Sequence, residues 1–169
     1  MELFDAMLSR KSVRDFTEKQ VSEEQLNKIL VAASLAPLGV PKEGKPHLTV
    51  VQDSSLLKTL GAQWGAEKDI IYGAPTLIIV SHPQSRMAGI PQMNAACVIE
   101  NMALAATDLG LGSIYLYGVT MGLEKNEELC EKLGIPKGMS PLSALAVGYG
   151  KEAVAKCKEA QQTLTVNRV

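Results

Sequence analysis

Residues 94–112, NAACVIENMALAATDLGLG, form the longest nearly unbroken apolar run in the chain, and their reading decides the fold. Polar residues interrupt the run only at Asn94, Glu100, Asn101, Thr107 and Asp108. Their recurrence at about every seventh position makes one thin polar stripe on an otherwise apolar helix. Such a helix is buried on most sides. Ala95, Ala96, Ala103, Ala105 and Ala106 let other elements approach closely, and Gly110 or Gly112 supplies the left-handed residue that ends it. The charged and amide residues inside the run argue against a membrane span. So much apolar surface exceeds what one small layer covers, and the excess predicts a dimer interface.

The 169 residues are 46% hydrophobic, enough for one domain over residues 1–169 with a sizeable core. A formal net charge of −1 leaves no basic excess for general nucleic-acid binding. Leu3, Phe4, Met7 and Leu8 form a short helical patch broken by Glu2 and Asp5, unlike a signal peptide, so a cytoplasmic location is expected. Cys97, Cys130 and Cys157 are odd in number and lack a Cys-x-x-Cys pair, which fits reduced thiols and offers no zinc site. Cys97, inside the central helix, reads as a small buried hydrophobe.

Working outward, residues 9–16 (SRKSVRDF) are basic and lack a helical pattern. If they are extended, Arg10, Ser12 and Arg14 project to one face and Lys11 and Val13 to the other, with ~13 Å between the outer arginines. A cation, a hydroxyl and a second cation then stand in a row; a solvated loop with scattered charge is the plainer alternative. Ser22 and Gln25 form a capping box that starts a helix, with Val21 and Leu26 as its hydrophobic staple and Pro37 at its end. Residues 38–46, LGVPKEGKP, are loop. A strand is predicted over 47–52, a short helix capped by Ser54 or Ser55 after it, and a central strand, apolar on both faces, over 74–81. Further strands are expected over 113–117 and 143–149, with a helix over 124–133 between them. Residues 151–162 read as helical or irregular, and 164–169 as a half-buried edge strand.

Several chemistries are set aside. Gly110-Leu111-Gly112 follows a helix and precedes a strand, the reverse of a dinucleotide-binding loop. No Gly-x-Ser-x-Gly or Walker sequence occurs, and two histidines leave little from which to build a hydrolytic site. No catalytic side chain or metal ligand is assigned. The protein either binds something or borrows chemistry from a cofactor.

Five blocks taken together resemble the nitroreductase family of FMN-dependent oxidoreductases: residues 9–16, residues 21–37 with their AASLAP ending, Ala74-Pro75, residues 100–106 followed by LGLGS at 109–113, and AVGYG at 146–150. No single block is specific, but their order and spacing match along the chain. The resemblance implies an α+β fold, a three-layer α-β-α sandwich around a mixed, largely antiparallel sheet. It also implies a homodimer with FMN at the subunit interface, and ping-pong transfer of electrons from NAD(P)H to nitroaromatic, quinone or related acceptors. On the same ground Arg10, Lys11, Ser12 and Arg14 contact FMN, Arg10 at the phosphate and Arg14 at the pyrimidine edge of the ring. A forked guanidinium suits a phosphate, and positive charge at that edge favours the reduced, anionic ring. Pro37, Leu38 and Gly39 fall in the cofactor site, as do Leu116, Tyr117 and Gly118, the last two where the family presents a backbone N–H towards the ring. Lys156, Lys158 and Arg168 are the candidates for further phosphate contacts.

One departure lies in the loop over residues 38–46. After the Ala-Pro the family commonly carries an Asn, a Gln and a Pro-Trp pair; here Pro41 stands in the amide-bearing position, His47 in the aromatic one, and two residues are added. This loop is expected to wall the substrate cleft across the dimer. Two alternatives are retained: an FMN-binding family member with another role, such as flavin storage, flavin ring cleavage or reductive dehalogenation, and a cofactor-free interaction protein on the same fold.

Overall fold

The structure, a computed structural model, describes residues 1–65, 67–152 and 164–168. Four strands, β1 (His47–Val51), β2 (Thr76–Pro83), β3 (Gly112–Leu116) and β4 (Met139–Gly148), pair antiparallel in the order β1-β2-β4-β3. The parallel component among the described residues is one isolated bridge, Ser12 to Ser113. Among the described residues six α-helices pack around this sheet: α1 (Leu3–Ser9), α2 (Glu23–Ser34), α3 (Ser54–Gly61), α4 (Ile90–Asp108), α5 (Gly118–Leu123) and α6 (Glu127–Lys132). The fold is the expected three-layer α+β sandwich. Among the described residues no helix is long and apolar enough to cross a membrane.

β2 shows why the sheet is buried on both sides. Ile78 and Val80 join a core with Ile29 of α2 and with Ile99 and Met102 of α4. Leu77 and Ile79 join a second core with Leu60 of α3, Leu123 of α5 and Leu129 of α6. A period of two therefore divides one continuous apolar run between two cores. The β2–β4 register slips between Val80 and Ser81, so Leu142 is passed over, and its carbonyl accepts from Thr120 Oγ1 at 3.1 Å.

The long helix begins at Ile90 rather than Asn94, with Pro91 in its first turn, where the missing N–H costs nothing. It ends in a Schellman motif: Leu111 N–H donates to Ala106 O at 2.8 Å and Gly110 N–H to Thr107 O at 3.0 Å, around Gly110 at φ 74°. The Ser22–Gln25 capping box of α2 is formed, but that helix stops at Ser34, three residues before Pro37. Asp53 caps α3, in place of Ser54 or Ser55, by accepting from Ser55 N–H and Leu56 N–H. The Ser55 hydroxyl, and then these backbone hydrogen bonds, hold the Asp53 carboxyl below its usual range. Its contribution is therefore present above the unfolded carboxylate pKa and fades as the pH falls through the folded one.

The helix read over 124–133 is α6, shorter at both ends and capped by Asn126, and a further helix that the sequence pattern did not announce, α5, precedes it. Gly118 and Gly122 in α5 are weak helix formers, so tertiary packing rather than propensity makes that helix. One expectation fails: residues 164–168 form no strand and are exposed. Residues 153–163 and Val169, with Lys156 and Lys158, lie outside the described residues.

Candidate cofactor site

Alternation along residues 10–14 places the side chains as expected. Val13 turns inward, against the space left by Gly112 and Gly150; a Cβ added to Gly112 would stand 2.8 Å from Val13 Cγ2. Val13 N–H donates to Ser113 O at 3.0 Å beside the Ser12–Ser113 bridge, leaving Ser12 and Arg14 exposed and Arg10 partly so. Arg10 Nε lies 3.9 Å from Glu100 of α4, a loose pair between partly exposed groups. Lys11 Nζ is 3.7 Å from Glu152. Among the described residues no ion pair engages Arg14.

The segment then crosses to the end of β4, where Phe16 bridges Gly150 and Thr17 N–H donates to Tyr149 O. The crossing covers only the start of β3, an edge strand. Ser113 turns its carbonyl outward to Val13, so the strand period turns the N–H and C=O of Tyr115 outward as well. Among the described residues no backbone group outside the sheet pairs with them. The result is a row of cation, hydroxyl and cation beside an open main-chain edge.

At the far end of β3, Leu116 is buried and Tyr117 is exposed, its carbonyl accepting from Thr120 Oγ1 at 2.8 Å. Trp64, which the sequence reading did not single out, donates its Nε1–H to Gly118 O at 3.2 Å. A Cβ added to Gly118 would meet the Trp64 ring at 3.5 Å, an ordinary contact. Gly118→Ala is therefore expected to leave the melting temperature within a few degrees of the parent. Gly118→Val drives a branched side chain into the ring and breaks the Trp64 bond, which a shift in emission from the chain's single tryptophan reports.

Residues 37–39 belong to a different neighbourhood. Pro37 is exposed, and Leu38 lines a cavity of about 250 Å³ with Ala33, Lys45 and Val98. Gly39 N–H donates to Asn94 Oδ1 at 2.8 Å, and Asn94 Nδ2 donates back to Gly39 O at 3.1 Å. Glu43 accepts from Ser85 Oγ at 2.6 Å and from Arg86 N–H at 3.0 Å. The loop is thus tied to the end of β2 and the start of α4. Among the described residues no hydrogen bond or ion pair joins residues 37–39 to residues 10–14 or 116–118. Arg168 is exposed.

Other chemistry finds no support. Burial, and then the Glu127 carboxylate, push the Cys130 thiol up, so it stays protonated near neutral pH. Among the described residues no cluster of His, Cys, Asp or Glu is placed to hold a metal.

The model of the nitroreductase family matches residues 7–44 and 38–149. The chain belongs to the nitroreductase family. It is 30% identical over 155 residues to an Archaeoglobus fulgidus protein provisionally named NADH dehydrogenase/NAD(P)H nitroreductase, covering 89% of this chain and 87% of that one. A Bacteroides fragilis nitroreductase solved with bound FMN superposes with a TM-score of 0.83 at 30% identity, covering 100% of this chain and 99% of the other. An FMN-dependent nitroreductase of Clostridium difficile R20291 gives a TM-score of 0.81 at 27% identity, with 99% of each chain covered.

Proposed function

We propose that this nitroreductase-family protein is an FMN-dependent oxidoreductase that passes electrons from NAD(P)H to nitroaromatic, quinone or related acceptors by a ping-pong mechanism. The observation that carries the reading is the row Arg10, Ser12 and Arg14 beside the open edge of β3. The donor set fits FMN: two guanidiniums that are loosely paired or unpaired among the described residues suit a phosphate and an electron-rich ring edge. The main-chain N–H and C=O of Tyr115, unpaired among the described residues, suit the polar rim of a flat heterocycle.

When bound, FMN supplies the two-electron carrier that connects donor and acceptor. The chain's own part is placement. Arg10 and Ser12 would hold the phosphate, Arg14 would set positive charge at the pyrimidine edge, and the backbone at 116–118 would offer its polar groups to the ring. Trp64, braced on Gly118 and itself exposed, would stand at that side of the ring.

The active form in this reading is a homodimer. α2 and the sheet cover most of α4, so the apolar excess is narrower than its composition indicates: Asn94, Val98, Ile99 and Met102 are all buried within the chain. Among the apolar side chains that remain open are Met93 and Ala96 on α4, with Phe4 and Met7 on α1 and Val31 and Leu35 on α2. A second copy that covers this surface would bring its own residues 37–39 to the cleft that they do not reach within one chain. Further proposals are the span of the domain, residues 1–169, and the contribution of Lys11, Lys156, Lys158 and Arg168 to phosphate binding.

Trp64 provides the test. FMN added to flavin-free protein is expected to quench the tryptophan emission and saturate at one FMN per chain, and NADH or NADPH under anaerobic conditions is expected to bleach the bound flavin. Emission unchanged at saturating FMN, from a protein that stays colourless, would refute the proposal.

A further inference from the structure

α4 lies between two apolar surfaces, yet near its start it places an amide that is only 2% exposed, that of Asn94. Three hydrogen bonds engage it. Gly39 N–H donates to Oδ1 at 2.8 Å, Nδ2 donates to Gly39 O at 3.1 Å, and Nδ2 lies 3.1 Å from Nε2 of His82, itself 2% exposed. The two Gly39 groups, one donor and one acceptor, fix which end of the amide is oxygen. The second Nδ2 hydrogen therefore points at His82, whose Nε2 accepts and whose Nδ1–H donates to Pro83 O at 2.7 Å. Every polar atom of both side chains is used. The contact holds one residue of the loop, Gly39, through two successive peptide groups, just before Val40, which is held in the left-handed region at φ 48°. A packing demand alone would be met by Leu at this position; an amide that grips one backbone unit at both its polar ends sets a position.

We infer that Asn94 and His82 form a buried strut that sets where the Gly39 backbone stands in the cleft, and through it the preference among electron acceptors. Both are positioning residues, since neither need touch FMN or acceptor. The inference rests on the proposed function for its consequence in turnover, and on the structure alone for the strut. Residues 37–39 reach the cleft from the partner copy in that reading. Donor oxidation needs the ring and its exposed face, whereas choice among acceptors depends on the shape of the cleft wall, so selectivity is the quantity that moves.

The experiment compares Asn94→Leu, His82→Leu and His82→Gln with the parent. The glutamine variant keeps an acceptor for the Asn94 amide and serves as the rescue. Loop opening is read first, on flavin-free protein, as the rate of trypsin cleavage after the exposed Lys42. Both leucine variants are expected to be cut about tenfold faster, and the glutamine variant within about twofold of the parent. Acceptor selectivity is then read on flavin-loaded protein as the ratio of kcat/KM for a quinone to that for a nitroaromatic. The leucine variants are expected to change this ratio about fivefold, with the rate of flavin reduction by the nicotinamide within about twofold of the parent. Unchanged cleavage at Lys42 overturns the strut. Faster cleavage with an unchanged acceptor ratio overturns the selectivity role and leaves a brace of structural value only. A parent protein that takes up no FMN counts against the proposed function, and the cleavage result still decides the strut. If a leucine variant does not fold, Asn94→Asp, which keeps the bond from Gly39 N–H and loses both donors, is read by the same two measurements.

Discussion

Arg10→Ala is expected to raise the Kd for FMN about ten- to a hundredfold, since a charge-assisted hydrogen bond to phosphate contributes about 1.5–3 kcal/mol. The fold should scarcely notice. Arg10 meets Glu100 at 3.9 Å, with side chains 36% and 58% exposed, and a surface pair of that kind contributes about 0–1 kcal/mol. Glu100→Gln, which removes the competing carboxylate, is expected to bind FMN at least as tightly as the parent. Raising the salt concentration should weaken the parent more than Arg10→Ala, because screening acts on a charge the variant lacks. Arg14→Ala is expected to lower the midpoint potential of bound FMN through loss of positive charge at the ring, with a melting temperature close to the parent's, because no ion pair among the described residues depends on it. Titration by Trp64 quenching and redox titration measure both variants. Parental affinity and potential in the two would return residues 10–14 to the status of a solvated loop.

Met102→Ala is expected to cost about 2–5 kcal/mol of unfolding free energy, a large share of the roughly 5–15 kcal/mol that holds a domain of this size. Met102 has no exposed surface and sits in the core shared by α2, α4 and the sheet, where a cavity has little room to collapse. Met93→Ala, on the open side of the same helix at 63% exposure, should leave monomer stability within about 0.5 kcal/mol of the parent. In the homodimer reading it weakens association instead. Urea denaturation at several protein concentrations separates the two effects, since association makes the parent's midpoint rise with concentration: Met93→Ala should flatten that rise, and Met102→Ala should lower the midpoint at every concentration. Equal destabilisation by both substitutions, independent of concentration, would mean that α4 has no free face.

The loop over residues 38–46 shows how tertiary structure revises a reading made from composition. Its prolines and glycines mark it as loop, and Pro41 and His47 mark its departure from the family pattern. What they do not reveal is that Glu43 latches it to Ser85 and Arg86, or that Gly39 is gripped by Asn94. Removing Glu43 and Gly44 would therefore release an anchor as well as shorten a wall. Asn94 could be seen in the sequence as the polar residue at the head of an apolar run. Its partners, 55 residues back and 12 residues back, could not.

Local physical chemistry determined much of this protein without reference to the rest of the chain. The helix over residues 94–108, the Ser22–Gln25 capping box, the stop at Gly110, the two-sided strand that became β2 and the alternation of residues 10–14 all follow from spacings of two to four residues, which the sequence displays directly. Tertiary structure alone decided the strand order β1-β2-β4-β3, the existence of α5 over weak helix formers, the seat of Trp64 on Gly118 and the open edge at Tyr115. It also decided that α4 is covered mainly from within its own chain. An apolar surface records that it must be buried but carries no label for what buries it. The pairing of distant segments supplies that label, and only the folded chain contains it.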